Sequence, residues 1–343
     1  MKILAALRDN AANYFRTQCP FLVLKYGGLE VDVRPLSLGI AAEYDILWLQ
    51  MHAEPLAEMV RREFQDAGKR VVYDVDDWLF EMPPSWVGYD GIHWRGNVER
   101  GDRMILHERA LYGSTLVTCT TPYLAEKLRT VTRRPIEVLP NCVMQGDWDI
   151  LPAQKHDQDG PVLGWFGTGN HWEDWLEIAP AVDSALAEVN GYLALVGAPE
   201  MLTCFPERLR KRTLLTPAVP MKDFHKLRSL LKACDAGLAW TTDKLTASLC
   251  RSPLKALQWG AAGVPLVASA TVYGDVLKES YYTPATLRSL AGRIVEALSQ
   301  ADFPRAQRVA HWQNQVWMYH SYETQSRRWL ECITKLLKGG YDA

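Results

Sequence analysis

The sequence predicts an α/β protein of two parallel-sheet domains that face each other across a cleft, and three observations predict it. Strand-like and helix-like segments alternate almost throughout, which is the pattern of parallel sheets flanked by helices. A polar, turn-rich stretch at 145–160, with Asp147, Asp149, Pro152, Asp157 and Asp159, interrupts that alternation and reads as a linker. The chain, at 343 residues, is long for one core and comfortable for two. Both halves therefore read as Rossmann-like. The expected boundaries are 1–150 for the first domain, 151–310 for the second and 311–343 for C-terminal helices.

In the first half, strands are expected at 2–7, 31–36, 46–51, 71–75, 116–120 and 136–139, because each is a short apolar or alternating run bounded by turn residues. Helical patterns fill 13–26, 55–67, 98–112 and 122–130. After the linker, strands are expected at 161–166, 193–196, 213–215, 237–240 and 264–268. The tail, 306–337, is helical and carries Trp312, Trp317, Tyr322 and Trp329.

Composition bounds the function classes. Hydrophobic residues make up 48% and charged residues 23%, as in a soluble globular protein. A formal net charge of −2 predicts no global attraction to polyanions. No apolar run approaches the ~18 residues of a membrane-spanning helix, and no basic amphipathic membrane helix stands out. The start, Met1-Lys-Ile-Leu-Ala-Ala-Leu-Arg-Asp, reads as a first strand rather than a signal peptide. Seven scattered Cys without a C-x-x-C pair suggest reduced thiols in a cytoplasm. Among the His there is neither H-E-x-x-H nor any other paired metal spacing.

The most informative stretch runs from Ser248 to Ser269. It reads as a loop, a capped helix, a Gly break at Gly260 and Gly263, and a buried strand. Ser252 is the expected N-cap and Pro253 the first helical residue. Free N–H groups at that end attract anions, and Arg251 and Lys255 add two positive charges. Lys255, Gln258 and Trp259 follow at i, i+3 and i+4 and share one helix face, which suits a diphosphate at the cap and a ribose one turn along. A second helix start follows the strand Leu163-Gly-Trp-Phe. There Gly167, Thr168, Asn170 and His171 form a turn in which Asn170 and Glu173 have capping-box spacing.

In the first half, Tyr73-Asp-Val-Asp-Asp-Trp78 ends a strand with Asp74, Asp76 and Asp77. Three carboxylates at a strand end repel one another unless a cation, an Arg or N–H groups meet them. A metal site, a structural cap and a cleft-facing cluster that orients the acceptor all fit. The last is favoured for Asp76 and Asp77, scaffolding for Asp74. Near the start, Asn10-Ala-Ala-Asn-Tyr-Phe-Arg16 follows the first strand and opens the first helix.

Together these segments resemble the GT-B glycosyltransferases, especially the retaining family-4 type, which implies that the helices of 311–343 cross back towards the first domain. Lys255 matches the Lys of the donor signature, Gln258 stands where a Glu usually binds the ribose, and Cys250 falls where many relatives carry a second acid. Gly167, Thr168, His171 and Asp174 match the turn of the second domain. Thr121-Pro-Tyr-Leu and Leu139-Pro-Asn-Cys-Val resemble the junction segments, with Cys142 replacing a Gly. Tyr-Asp-x-Asp-Asp is similar to a subset met in phage and surface-glycan gene sets, whose glycines near residue 11 are here Ala11 and Ala12.

The resemblance implies transfer from a nucleoside-diphosphate sugar, UDP- or GDP-linked, to an acceptor hydroxyl, with retention and no metal. It implies Gly167, Thr168, Asn170, Arg251, Ser252, Lys255 and Gln258 at the donor, and Asp76, Asp77 and His171 at the chemistry. Tyr14, Arg16, Trp78, Trp94 and Arg95 would meet the acceptor, which is a glycan, a small molecule or a 5-hydroxymethylpyrimidine in DNA. Aromatic faces at Trp78, Trp86, Tyr89 and Trp94 could stack on a sugar or a base; the alternative is a packed lid over the cleft. A GT-B protein that binds without catalysis and a nucleotide-sugar epimerase are the other readings.

Overall fold

A computed structural model of the chain describes residues 2–86, 89, 98–148, 153, 156–273, 283–299 and 302–341. It contains two six-stranded sheets, all parallel. The first comprises β1 (Lys2–Ala6), β2 (Glu30–Arg34), β3 (Ile46–Gln50), β4 (Arg70–Val75), β5 (Leu116–Cys119) and β6 (Ile136–Val138), in the order β2-β1-β3-β4-β5-β6. The second comprises β7 (Val162–Gly167), β8 (Tyr192–Gly197), β9 (Thr213–Thr216), β10 (Ala236–Ala239), β11 (Leu266–Ser269) and β12 (Thr283–Ala285), in the order β12-β11-β10-β7-β8-β9. Its strand order reverses between β7 and β10, and that of the first sheet between β1 and β3. Such reversals open a crevice at the carboxyl ends of the strands, where ligands of open α/β sheets bind.

The central strands form because their residues are apolar on both faces; Ile46-Leu-Trp-Leu-Gln50 is wholly buried. Every strand expected from the sequence is present to within two residues. The edge strand β12 is an addition, since Thr283-Pro-Ala is too short to show a period. The first helical stretch, 11–26, widens to a π-helical turn at Tyr14–Gln18. Pro20 explains it: the ring has no N–H to give to the Arg16 carbonyl and would collide with it in a regular turn.

The expected C-terminal helix is two helices, Asp302–Tyr319 and Tyr322–Leu337, broken where Ser321 caps the second. Gly260 does not end its helix. It lies inside Leu254–Ala262, where a Cβ would stand 2.4 Å from Trp312, so the glycine lets the Asp302–Tyr319 helix pack closely. Gly263, with φ of 69°, is the left-handed C-cap. Trp329 of the last helix packs on Trp48 and Phe21 of the first domain, with ring centroids 5.4 and 6.1 Å away. Thus the chain returns to the first sheet and ties the domains together.

Candidate active site

A cavity of about 360 Å³ lies between the carboxyl ends of the two sheets. Asp76, Asp77, Gly167, Thr168, Asn170, His171, Arg251, Ser252, Lys255 and Gln258 all line it. On the second-domain wall, the loop after β7 and the start of the Leu254–Ala262 helix bring four titratable groups together. Asp174 Oδ2 accepts from His171 Nδ1 at 2.5 Å and from Arg251 Nη1 at 3.2 Å, and its Oδ1 accepts from the Thr242 N–H at 2.7 Å. With Nδ1 given to Asp174, His171 Nε2 is left to accept from Lys255 Nζ, 3.2 Å away. Arg251 Nη2 also donates to the Asn170 carbonyl at 2.6 Å.

The protonation states follow from burial. Burial, added to the Arg251 and Lys255 charges, drives His171 down to about 3 and keeps the imidazole neutral despite Asp174. Burial would raise Asp174, but His171, Arg251 and the Thr242 N–H outweigh it and hold the carboxylate ionised. Burial brings Lys255 down to about 7, because Asp174 offsets only part of the desolvation and Arg251 opposes the charge. The wall thus has more cation than the one carboxylate can satisfy, which is what an anion would complete.

Two glycines meet at the cavity wall. Gly197, with φ of +93°, faces the Gly167 carbonyl, and a Cβ there would lie 2.1 Å from that oxygen. Gln258 is 4% exposed, lines the cavity, and its Oε1 has no hydrogen-bond donor among the described residues. A buried acceptor left alone is costly, so a ligand hydroxyl is the natural donor.

Across the cavity stand Asp76 and Asp77, just past β4. Burial and then the Asp77 and Asp74 carboxylates push Asp76 up to about 7, against Arg16 and against Gln50, whose Nε2 donates to Asp76 Oδ1 at 2.7 Å. Burial raises Asp77 as well, opposed by Arg251. A carboxyl group that titrates near neutrality at a cavity wall can take a proton from an incoming hydroxyl. Among the described residues, no group of three His, Cys, Asp or Glu side chains is placed to hold a metal ion.

Several sequence expectations need correction. Arg16 is fully buried and does not reach the cavity. Its Nε donates to Asp74 Oδ2 at 2.9 Å, its Nη2 bonds Asp74 Oδ1, and its Nη1 donates to the Leu139 carbonyl at 2.5 Å. Tyr14 gives its hydroxyl to Asp147 at 2.5 Å and accepts from Arg228, so it sits at the domain junction. Trp78 is 3% exposed within the first-domain core and offers no stacking face. Trp94 and Arg95 lie outside the described residues.

Ser252 is not the N-cap. Pro253 takes that position without a side-chain cap, and Ser252 Oγ accepts from Asn141 Nδ2 at 2.7 Å. Asn170 and Glu173 form no capping box either: a short 3₁₀ turn, Gly169–His171, puts His171 at the N-cap. Trp259 is fully buried in the gap left by Gly164 and Gly237, away from any ribose. The apolar lining from Phe15, Val219, Phe224, Leu227 and Tyr273 was missed, since isolated apolar residues carry no signal of facing a cavity. Gly197 could have been found, as the glycine that ends β8 opposite Gly167.

No protein-family model matches the chain, and no curated protein matches it in sequence. Solved structures match over nearly the whole length. A glycosyltransferase from Rickettsia africae superposes with a TM-score of 0.63 at 13% identity, covering 98% of each chain. Sucrose-phosphate synthase from Thermosynechococcus elongatus gives 0.62 at 14% identity, covering 98% of this chain and 99% of the other. AviGT4, a glycosyltransferase involved in avilamycin A biosynthesis, gives 0.58 at 14% identity over 98% of both. The chain therefore has the GT-B fold, two facing parallel-sheet α/β domains. No helix among the described residues is long and apolar enough to cross a membrane.

Proposed function

We propose that the protein is a glycosyltransferase that moves a sugar from a nucleoside-diphosphate sugar to an acceptor hydroxyl, with retention and without a metal ion. The observation that carries this reading is the under-neutralised Arg251–Lys255–His171 wall facing Asp76 and Asp77 across one cavity. The diphosphate would lie on Arg251, Lys255 and the uncapped helix start, where N–H groups and cations stabilise the leaving group's growing charge. A ribose hydroxyl would complete Gln258 Oε1. His171, held neutral by burial and the Arg251 and Lys255 charges and oriented by Asp174, would orient Lys255 and the transferred sugar.

Asp76 and Asp77 would hold the acceptor hydroxyl near the anomeric carbon, with Asp76 as the proton acceptor. The donor is a UDP- or GDP-sugar, and the acceptor a glycan, a small molecule or a hydroxymethylated base in DNA. Arg129, Arg133 and Arg134 form an exposed basic patch, which a DNA acceptor would use as a backbone contact.

Calorimetry against nucleoside diphosphates and nucleotide-sugars tests the reading. We expect saturable binding to one base class, lost by at least about tenfold in Lys255→Ala, as removing a charge-assisted contact implies. Asp76→Asn should keep that binding and lose about 10²-fold or more in turnover. Absence of binding to every nucleotide would overturn the assignment; altered sugar released without any acceptor would replace transfer by epimerisation.

A further inference from the structure

The cations that would hold the donor diphosphate belong to the second domain by sequence, yet the segment that carries Arg251 is built into the first. Ala247 and Cys250 are 1% and 0% exposed, and both pack in one apolar cluster with Trp78, Leu79, Met82 and Trp86 of the loop after β4. The Cys250 carbonyl accepts from Thr121 Oγ1 at 3.2 Å, and Ser252 Oγ accepts from Asn141 at 2.7 Å. Both donors come from the first domain.

The same loop reaches Arg251 itself. The Arg251 guanidinium carbon stands 4.5 Å from the centre of the Trp86 ring. That indole is 3% exposed, and its Nε1 donates to Glu173 Oε2 at 3.1 Å, while Ser85 Oγ bonds the other oxygen of the same carboxylate. Glu173 sits in the first turn of the Trp172–Glu188 helix, next to Asp174. Trp86 is therefore pinned from the second domain and in turn supports that domain's cation from below. Asp77 opens this loop, so one short segment of the first domain carries both a carboxylate of the cavity and the platform under Arg251.

We propose that Trp86 is a positioning residue for Arg251, and that Trp86, Glu173 and the buried Ala247–Cys250 segment form a clasp between the domains that sets the shape of the diphosphate site. The proposal rests on the donor reading given above and deepens it: a ring of the first domain holds the guanidinium that a diphosphate would meet. It also accounts for Cys250. An acid at that position would be buried in an apolar cluster, and a small thiol suits a contact surface.

Two measurements on the full chain test it. The first uses no ligand: hydrogen exchange of the 246–252 amides in wild type, Trp86→Ala, Trp86→Phe and Glu173→Gln. Loss of the clasp should speed exchange there by about tenfold in Trp86→Ala, in line with a desolvated cation–π contact plus its packing, and leave β8 unchanged. Trp86→Phe keeps a ring under Arg251 but loses the bond to Glu173, so it and Glu173→Gln should both fall between wild type and Trp86→Ala. Unchanged exchange at 246–252 in Trp86→Ala, or equal acceleration throughout the second domain, overturns the clasp.

The second is calorimetry with UDP and GDP and with their sugars. Trp86→Ala should weaken binding by about tenfold while Trp86→Phe restores it, and donor KM should rise more than kcat falls. Wild-type-like affinity in Trp86→Ala overturns the positioning role. A faster-exchanging clasp in a protein whose wild type binds no nucleotide would sink the donor reading and leave the clasp standing.

Discussion

The two domains each bury a cluster of Arg and Asp close to the cleft, and the clusters differ in whether their charges are used up. In the first domain Arg16 spends its donors on Asp74, Leu139 and Asn141, and Asp74 also accepts from Thr118 Oγ1 at 2.6 Å. Its guanidinium lies over Trp329 as well, 5.2 Å from the ring centre. Fully buried, Arg16 is out of a ligand's reach. In the second domain one carboxylate, Asp174, serves Arg251, His171 and a backbone N–H, while Lys255 has, among the described residues, a neutral imidazole and the faces of Trp165 and Phe166. Identical residue types therefore make a strut in one domain and a ligand site in the other. Charge balance, more than burial or residue identity, separates the two.

The largest effect that could break this contrast is removal of the strut. Asp74→Ala leaves Arg16 fully buried with an unpaired charge, and such truncations cost about 3–5 kcal/mol. Denaturant unfolding should show that loss even without ligand. If Asp74→Ala instead folds with wild-type stability and fails to bind nucleotide, the first cluster belongs to the site and the distinction collapses.

Next comes the pH response of the open cluster. Lys255 stands at about 7 in the empty site, so it is largely neutral at pH 8. A diphosphate favours its charged form, and binding above pH 7 must then take up a proton. Affinity for a nucleotide-sugar should be flat below about pH 7 and fall above it, by up to about tenfold per unit until the raised pKa of the complex is reached. His171, at about 3, and the lowered Asp174 do not titrate in that window. Asp76, at about 7, faces the same cavity and would repel the phosphates once ionised. The Asp76→Asn variant separates the two: the proton uptake measured in buffers of different ionisation heat should persist in it and vanish in Lys255→Met.

Much of this contrast was legible beforehand, but unevenly. Period and punctuation placed the strands, because an apolar run such as Ile46–Leu49 has few alternatives. The second-domain wall was legible since its residues lie close in sequence: Arg251 to Gln258 is two turns of chain, and Gly167 to His171 a single loop. The first-domain wall was legible only in Asp76 and Asp77. Arg16 and Tyr14 were placed in the cleft by the resemblance, yet Pro20 widens the turn and Arg16 goes to Asp74 on another strand. Such pairing across 58 residues leaves no local trace. Helix caps failed for a similar reason. Ser252 has good capping chemistry, but Asn141, 111 residues away, competes for its hydroxyl.

The smallest predicted effect has the opposite sign and probes the open cluster most directly. A residue held for a ligand should cost the empty protein stability, whereas a strut should only add to it. Lys255 has a folded pKa of about 7 against an ordinary 10.5, so between those values the unfolded chain binds more protons than the native one. Stability of the wild type should therefore rise with pH across that window, its penalty being complete below pH 7. Lys255→Met keeps an unbranched side chain of similar size and removes the charge that lies over Trp165; replacing buried charge by an apolar group of similar size is often stabilising, here by about 1 kcal/mol. The variant should melt higher than wild type at pH 7, converge with it towards pH 10, and no longer be stabilised by nucleotide. A lower melting temperature at pH 7, with nucleotide stabilisation intact, would mean that Lys255 is a strut like Arg16 and that the cation surplus belongs to the fold.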